Sequence, residues 1–145
     1  MARPVSSTLQ ASGAPGRSVV SADASGGVRA VRIAVPGPQV FVSGMTARGD
    51  DGGVVGIGDA GAQAVQVFAN LRSTLEVAGS SLDDVVRLDL YVRDVEDFPA
   101  IAAARASAFG DRPLPAATLV EVSRLADPDY LVEVSAIAVT GTLAP

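Results

Sequence analysis

From Val85 to Val92 the chain alternates with period two. Val86, Leu88, Leu90 and Val92 fall on one side and Arg87, Asp89, Tyr91 and Arg93 on the other, the signature of a half-buried strand. A different period governs residues 59–79: Ala64, Phe68, Leu71, Leu75 and Ala78 recur every third or fourth position and form one stripe of a helix. Asp59 is placed to cap that helix and Gly79 to stop it, with Gln63, Gln66, Asn70, Arg72 and Ser73 on the wet side. Asp97, with Pro99 just inside, opens a second helix that ends at Phe109 and Gly110. Short β-branched runs, Val28 to Ile33 and Val40 to Ser43, flank Pro36-Gly37-Pro38 and predict a hairpin. Two more strands, Ala116 to Ser123 and Leu131 to Val139, are separated by an Asp127-Pro128-Asp129 turn. The order strand, strand, helix, strand, helix, strand, strand is that of an α+β domain.

Matching parity across the last three strands predicts one face made of Val86, Leu88, Leu90, Thr118, Val120, Val122, Val132, Val134, Ala136 and Ala138, for the two helices to cover. The opposite face then mixes Arg87, Asp89, Tyr91, Ala117, Leu119, Glu121, Leu131, Glu133, Ile137 and Val139. A half-apolar face of that breadth marks an interaction surface, and it is expected to pack against other copies of the chain. Glu121, Glu133 and Arg87 would then have to be paired, hydrogen-bonded or set in a wet cleft, because an unpaired buried charge costs several kcal/mol. For Glu133 an ion-pair role across subunits and a catalytic role stand side by side.

Residues 1–25 are rich in Ser, Ala, Gly and Pro and lack apolar periodicity, so they are expected to form a flexible arm ahead of a domain spanning 26–141. The glycines of the 48–58 loop, Gly52, Gly53, Gly56 and Gly58, match no phosphate-binding spacing. Composition narrows the chemistry further. The chain has no Cys, His or Lys, which removes thiolate nucleophiles, the usual zinc and copper ligands, lysine Schiff bases and a Ser-His-Asp arrangement. Acid-base work falls to Asp, Glu, Tyr or water. A net charge of -5 gives no basic footprint for nucleic acid. No apolar run is long enough to span a membrane, and no apolar core of a secretory signal precedes Arg17, so a cytoplasmic protein is expected.

Several stretches carry a resemblance to a known family. Val42-Ser43-Gly44, the Ala- and Gln-rich helix from Asp59 to Gly79, and Val85-Val86-Arg87 through Tyr91-Val92-Arg93-Asp94 with Asp97-Phe98 contribute to it. The most specific part is Pro115-Ala116, Val120-Glu121-Val122, Arg124-Leu125, Leu131-Val132-Glu133-Val134 and Ala136-Ile137-Ala138. Over Val28 to Val139 the chain resembles the RidA/YjgF superfamily. That resemblance implies a chorismate-mutase-like fold, a mixed sheet with two helices on one face, assembled as a homotrimer with a central barrel. It also implies hydrolysis of reactive imines or enamines to carbonyl compounds and ammonia in clefts between subunits, with no metal or organic cofactor.

By the same resemblance Glu133 positions the attacking water, Ser43 and Gly44 form the ligand-orienting turn, and Thr118, Leu119 and Tyr91 line the cleft. The family's carboxylate-gripping arginine falls on Ala117, its second-helix asparagine on Ala102 and its first-strand tyrosine near Ala30. Either another arginine, Arg29, Arg32 or Arg93, re-supplies the charge, or the substrate has no carboxylate there. The expected function is an enzyme acting on an imine, enamine or enol-type intermediate, in a specialised pathway. A non-catalytic small-molecule-binding or chaperone-like trimer is the alternative, and ribonuclease activity is disfavoured by the acidic, histidine-free chain.

Overall fold

The computed structural model describes residues 9–12, 17–22, 28–34, 37–112 and 114–141. Among these residues seven strands and two α-helices follow in the order β1 (Leu9–Ser12), β2 (Arg17–Ala22), β3 (Val28–Ile33), β4 (Gln39–Met45), α1 (Ala60–Val77), β5 (Val85–Val92), α2 (Phe98–Phe109), β6 (Ala116–Glu121) and β7 (Val132–Val139). They form two sheets. One is the antiparallel β1-β2-β3; the other has four strands in the order β4-β7-β5-β6. In the larger sheet β7 runs antiparallel to both β4 and β5, while β5 and β6 are parallel. The steps from β4 to β5 through α1 and from β5 to β6 through α2 move the same way across that sheet. Right-handed crossovers therefore place both helices on the same face.

That face is the core. Leu88, Leu90, Val92, Val132, Val134, Ala136 and Ala138 are buried on the sheet side, facing Ala64, Val67, Phe68, Leu71, Leu75, Ile101, Ala104 and Phe109 of the helices. Phe68 and Phe109 meet edge to face at 6.2 Å where the helices touch, a geometry that aromatic pairs favour. The carboxylate of Asp59 caps α1 by accepting from the Ala62 N–H at 2.9 Å. Ala78 serves as its C-cap, exposed rather than on the stripe. Asp97 caps α2 without a side-chain bond. Instead Asp94 caps the short 3-10 turn Val95–Asp97 ahead of it, accepting from the Glu96 N–H. No helix among the described residues is long and apolar enough to cross a membrane.

Several expectations need correction. Residues 28–33 and 39–45 do not form a hairpin: β3 pairs with β2, and β4 pairs with β7 from Gln39↔Val139 to Met45↔Val134. Alternation shows that a segment is a strand but not which strand it joins, and β7 offers β4 a fully apolar inner face. The parity of β6 is the reverse of that expected, because its parallel register sets Ala117 beside Leu88 and Leu119 beside Leu90. Ala117 and Leu119 therefore face the helices, and Thr118 and Val120 face away. A register shift between Val85 and Arg87 buries Val85 fully in the core and leaves Val86 half-buried; an extra residue in a strand flips the side chains that follow. Gln63 is buried rather than wet. Its Nε2 donates to the Asp129 carbonyl at 2.7 Å and to the Gly56 carbonyl at 3.3 Å, and its Oε1 accepts from the Leu131 N–H at 2.8 Å.

The stretch read as an arm contains β1 and β2. Arg17 of β2 is buried, and its guanidinium donates to the carbonyls of Asp83 and Val85, tying β2 to the start of β5. Burial pulls its pKa below the ordinary arginine value, with Asp84 and Asp83 opposing that shift.

Candidate functional site

On the face of the large sheet away from the helices, β4 and β7 fall out of step between Val42 and Met45, so that Ser43 and Gly44 form a bulge. Bulges re-aim side chains beside functional sites. Here the bulge brings the backbone of Gly44 against Glu133. A Cβ on Gly44 would collide with Oε1 and Cδ of Glu133, so only glycine leaves room for that carboxylate. Ser43 and Gly44 are exposed and Glu133 is half-buried. Across the sheet, Tyr91 is the register partner of Glu133. A carboxylate, a serine hydroxyl and a phenol thus lie on one open surface.

The next row of the same face is already engaged. Arg87 binds Asp89 through Nη2 at 2.6 Å and Nε at 3.0 Å, and its Nη2 also donates to the Thr118 hydroxyl at 2.7 Å. Both partners of the ion pair are more than a third exposed, which limits its worth to about 1 kcal/mol or less. Its effect is to satisfy three polar groups among apolar neighbours. Phe41, Tyr91 and Val120 remain 71%, 37% and 42% exposed on this face. Glu121, at the end of β6, accepts from the Val95 N–H at 2.9 Å.

On the helix side, between α2 and β6, lies a cavity of about 240 Å³ lined by Leu90, Phe98, Ile101, Ala102, Arg105, Ala117 and Leu119. Phe98, Ile101, Ala102 and Arg105 stand at i, i+3, i+4 and i+7 and so form one stripe of α2. Ala102 and Ala117, the two small residues, are what leave the space open. Ala117 and Leu119 therefore share a cavity with each other but not with Glu133, which lies on the other face of the same sheet. Arg105 was not among the residues singled out from sequence. The i+3 and i+4 relation to Ala102 and Ile101 is the signal that would have found it.

Of the arginines considered as substitutes for a cation at Ala117, neither Arg93 nor Arg32 lines its cavity. Arg93 follows β5 and lines an open cavity of about 440 Å³ with Arg124, Leu125, Ala126 and Pro128. Arg32 is exposed on β3, in the other sheet. The side chain of Arg29 lies outside the described residues.

Next to Gly44 a further open depression of about 460 Å³ is bordered by Thr46, Arg48, Asn70 and Thr74. The amide of Asn70 fixes this wall by donating to the carbonyls of Thr46 and Arg48, both at 2.9 Å. Hydrogen bonding with Thr46, and then with Arg48, lowers the pKa of Tyr130 below that of an ordinary phenol. Hydrogen bonding with Tyr130 in turn raises that of Arg48. Among the described residues no group of three or more His, Cys, Asp or Glu is placed to hold a metal ion.

The family model described as Endoribonuclease L-PSP matches residues 22–140. A RutC family protein of Pyrococcus abyssi is 38% identical over 102 residues, covering 70% of this chain and 79% of its own. The 3-aminoacrylate deaminase RutC of Acinetobacter baylyi is 37% identical over 99 residues, covering 68% of this chain and 77% of its own. Among solved structures, the Rid family protein YyfB of Yersinia pestis superposes with a TM-score of 0.69 at 36% identity, covering 77% of this chain and 85% of its own.

Proposed function

Because the chain belongs to the RidA/YjgF superfamily, we propose that it is a cofactor-independent enzyme acting on a small imine, enamine or enol-type intermediate in a cleft between subunits of a homotrimer. The observation that carries this reading is the Gly44–Glu133 contact, in which the strand bulge keeps open the space that the Glu133 carboxylate occupies. Membership in a family containing a 3-aminoacrylate deaminase supports the reaction class. The placement of Ala117 and Glu133 on opposite faces of one sheet supports a shared site, since one ligand can meet both positions only where two copies adjoin.

In this reading Glu133 accepts a proton from water as the water oxygen attacks the C=N carbon. The proton passes to nitrogen to give a carbinolamine, whose hydroxyl proton then also moves to nitrogen as the C–N bond breaks and the C=O bond forms, so that ammonia and a carbonyl compound leave. For an enamine, protonation at carbon first generates the imine. Ser43 and the backbone N–H groups of the bulge orient the ligand, and Tyr91, the cross-strand partner of Glu133, borders it. Arg93, beside Arg124 and Pro128, and Arg32, in the other sheet, play no part in this scheme.

The test is ammonia release from a panel of imines and enamines generated in situ, comparing wild type with Glu133→Gln. Loss of about 100-fold or more in turnover, with an unchanged oligomer in gel filtration, is expected for a lost acid-base group. Equal turnover removes Glu133 from the chemistry. If the wild type releases no ammonia from any member, the non-catalytic binding trimer replaces this reading.

A further inference from the structure

The cavity between α2 and β6 has one charged group in an otherwise apolar wall. Leu90, Phe98, Ile101, Ala102, Ala117 and Leu119 supply hydrocarbon, and Arg105 supplies a guanidinium. Among the described residues no carboxylate lines the space. Of the ion pairs formed among the described residues, Arg87–Asp89 and Arg112–Asp83, neither includes Arg105. Its Nε is buried and has no hydrogen-bond partner. A guanidinium carries only donors, so within this apolar wall it needs an acceptor that the lining does not supply. Buried polar groups almost always find a partner, and an anion bound in this cavity would supply one.

The neighbours make room for such a partner. Arg105 is one helical turn from both Ile101 and Ala102, and it faces the β6 stretch that carries Ala117 and Leu119. At about 30 Å³ per water, 240 Å³ holds roughly eight waters, or an organic molecule of similar atom count. A bulky side chain at Ala102 or Ala117 would fill it.

We propose that this cavity binds small organic monoanions, with a carboxylate on the Arg105 guanidinium and an apolar body between Phe98, Ile101 and Leu119. Arg105, reaching from a helix, thus takes the charge-recognising role for which β6 has only Ala117. The proposal rests on the functional reading above to the extent that it assigns the carboxylate to the substrate. The pocket's preference for an anion stands by itself. A planar guanidinium pairs a carboxylate through two parallel N–H···O bonds, and an isosteric amide offers one acceptor where the carboxylate offers two.

Calorimetric titration of the full chain with butanoate, hexanoate and benzoate, each against its neutral amide, tests this directly. At least one carboxylate should bind about tenfold to a hundredfold more tightly than its amide, the range of a charge-assisted hydrogen bond. Arg105→Gln should erase that preference, and Arg105→Lys should recover part of it. Ala117→Leu, which leaves Arg105 in place and fills the cavity, should weaken both ligands; it also serves should the Arg105 variants fail to fold. Amides binding as tightly as carboxylates, no carboxylate binding, or a preference that survives Arg105→Gln would each overturn the proposal. Binding is read without turnover, so the two readings fail separately. Carboxylate binding without ammonia release sinks the enzyme alone, and turnover of neutral imines without carboxylate binding sinks the anion pocket alone.

Discussion

Ala117 and Thr118 are neighbours on β6 yet belong to different surfaces. Ala117 looks into the cavity under α2, whereas the Thr118 hydroxyl accepts from Arg87 on the face the helices leave open. The same division runs through the whole four-stranded sheet. The helix side is saturated, with Leu88, Leu90, Val92, Val132, Val134, Ala136 and Ala138 all buried by the chain's own helices. A lapse on that side is the cavity at Ala102 and Ala117. The open side pairs its charges locally, as Arg87 with Asp89, but keeps Phe41, Tyr91 and Val120 in contact with solvent. The chain completes one face by itself and leaves on the other a mixture suited to a partner with its own apolar groups. The two potential functional elements follow the same split: an anion-seeking arginine on the closed side, a carboxylate on the open one.

Substitutions on each side should separate these roles. The largest effect is expected from Phe41→Glu, which in a trimer packed through the open face places a carboxylate at every seam, at several kcal/mol for each one buried without a partner. Light scattering should show an oligomer for the wild type and a monomer with the same circular dichroism for the variant. An oligomer unaffected by the change would mean that the open face is not the contact. On the closed side, Gln63→Leu deprives the Gly56 and Asp129 carbonyls and the Leu131 N–H of their partner. A loss of about 2–4 kcal/mol in urea unfolding should follow, with assembly intact. If the loss is below about 1 kcal/mol, the amide does not hold these loops together. The smallest effect belongs to Asp59→Ala, which removes the α1 cap from a solvent-facing position and should cost about 1 kcal/mol. Thermal unfolding at matched concentration would read it, and a shift as large as that of Gln63→Leu would contradict a purely local role.

Much of this fold is legible in the sequence because it is written in local periods. The alternation through Leu88, Leu90 and Val92 and through β7, the α1 stripe with its Asp59 cap, and the α2 stop at Gly110 each depend on residues a few positions apart. The open face is legible as well, from the mixture on strands that could not all be covered by two helices. The candidate site is harder to read. Glu133 and the Ser43-Gly44 turn emerge from the family resemblance, but the reason for glycine, a carboxylate pressing against its Cα, belongs to a pairing between residues 89 positions apart in the chain. Arg105 is invisible to a strand-based search because it approaches Ala117 from a helix. Gln63 looks like a solvent-facing residue until the loops at Gly56 and Asp129 are folded over it.

The sequence by itself determined the two helices and the strands β3 to β7, though not β1 and β2, that the chemistry must run without thiol, imidazole or amine side chains, and that one sheet face would lack a cover. Only the tertiary structure decided which strand pairs with which, and so which way Ala117 points. Side-chain direction in a sheet depends on register and bulges, which are set by distant partners: one residue of slip exchanges the faces, as at Val86 and along β6.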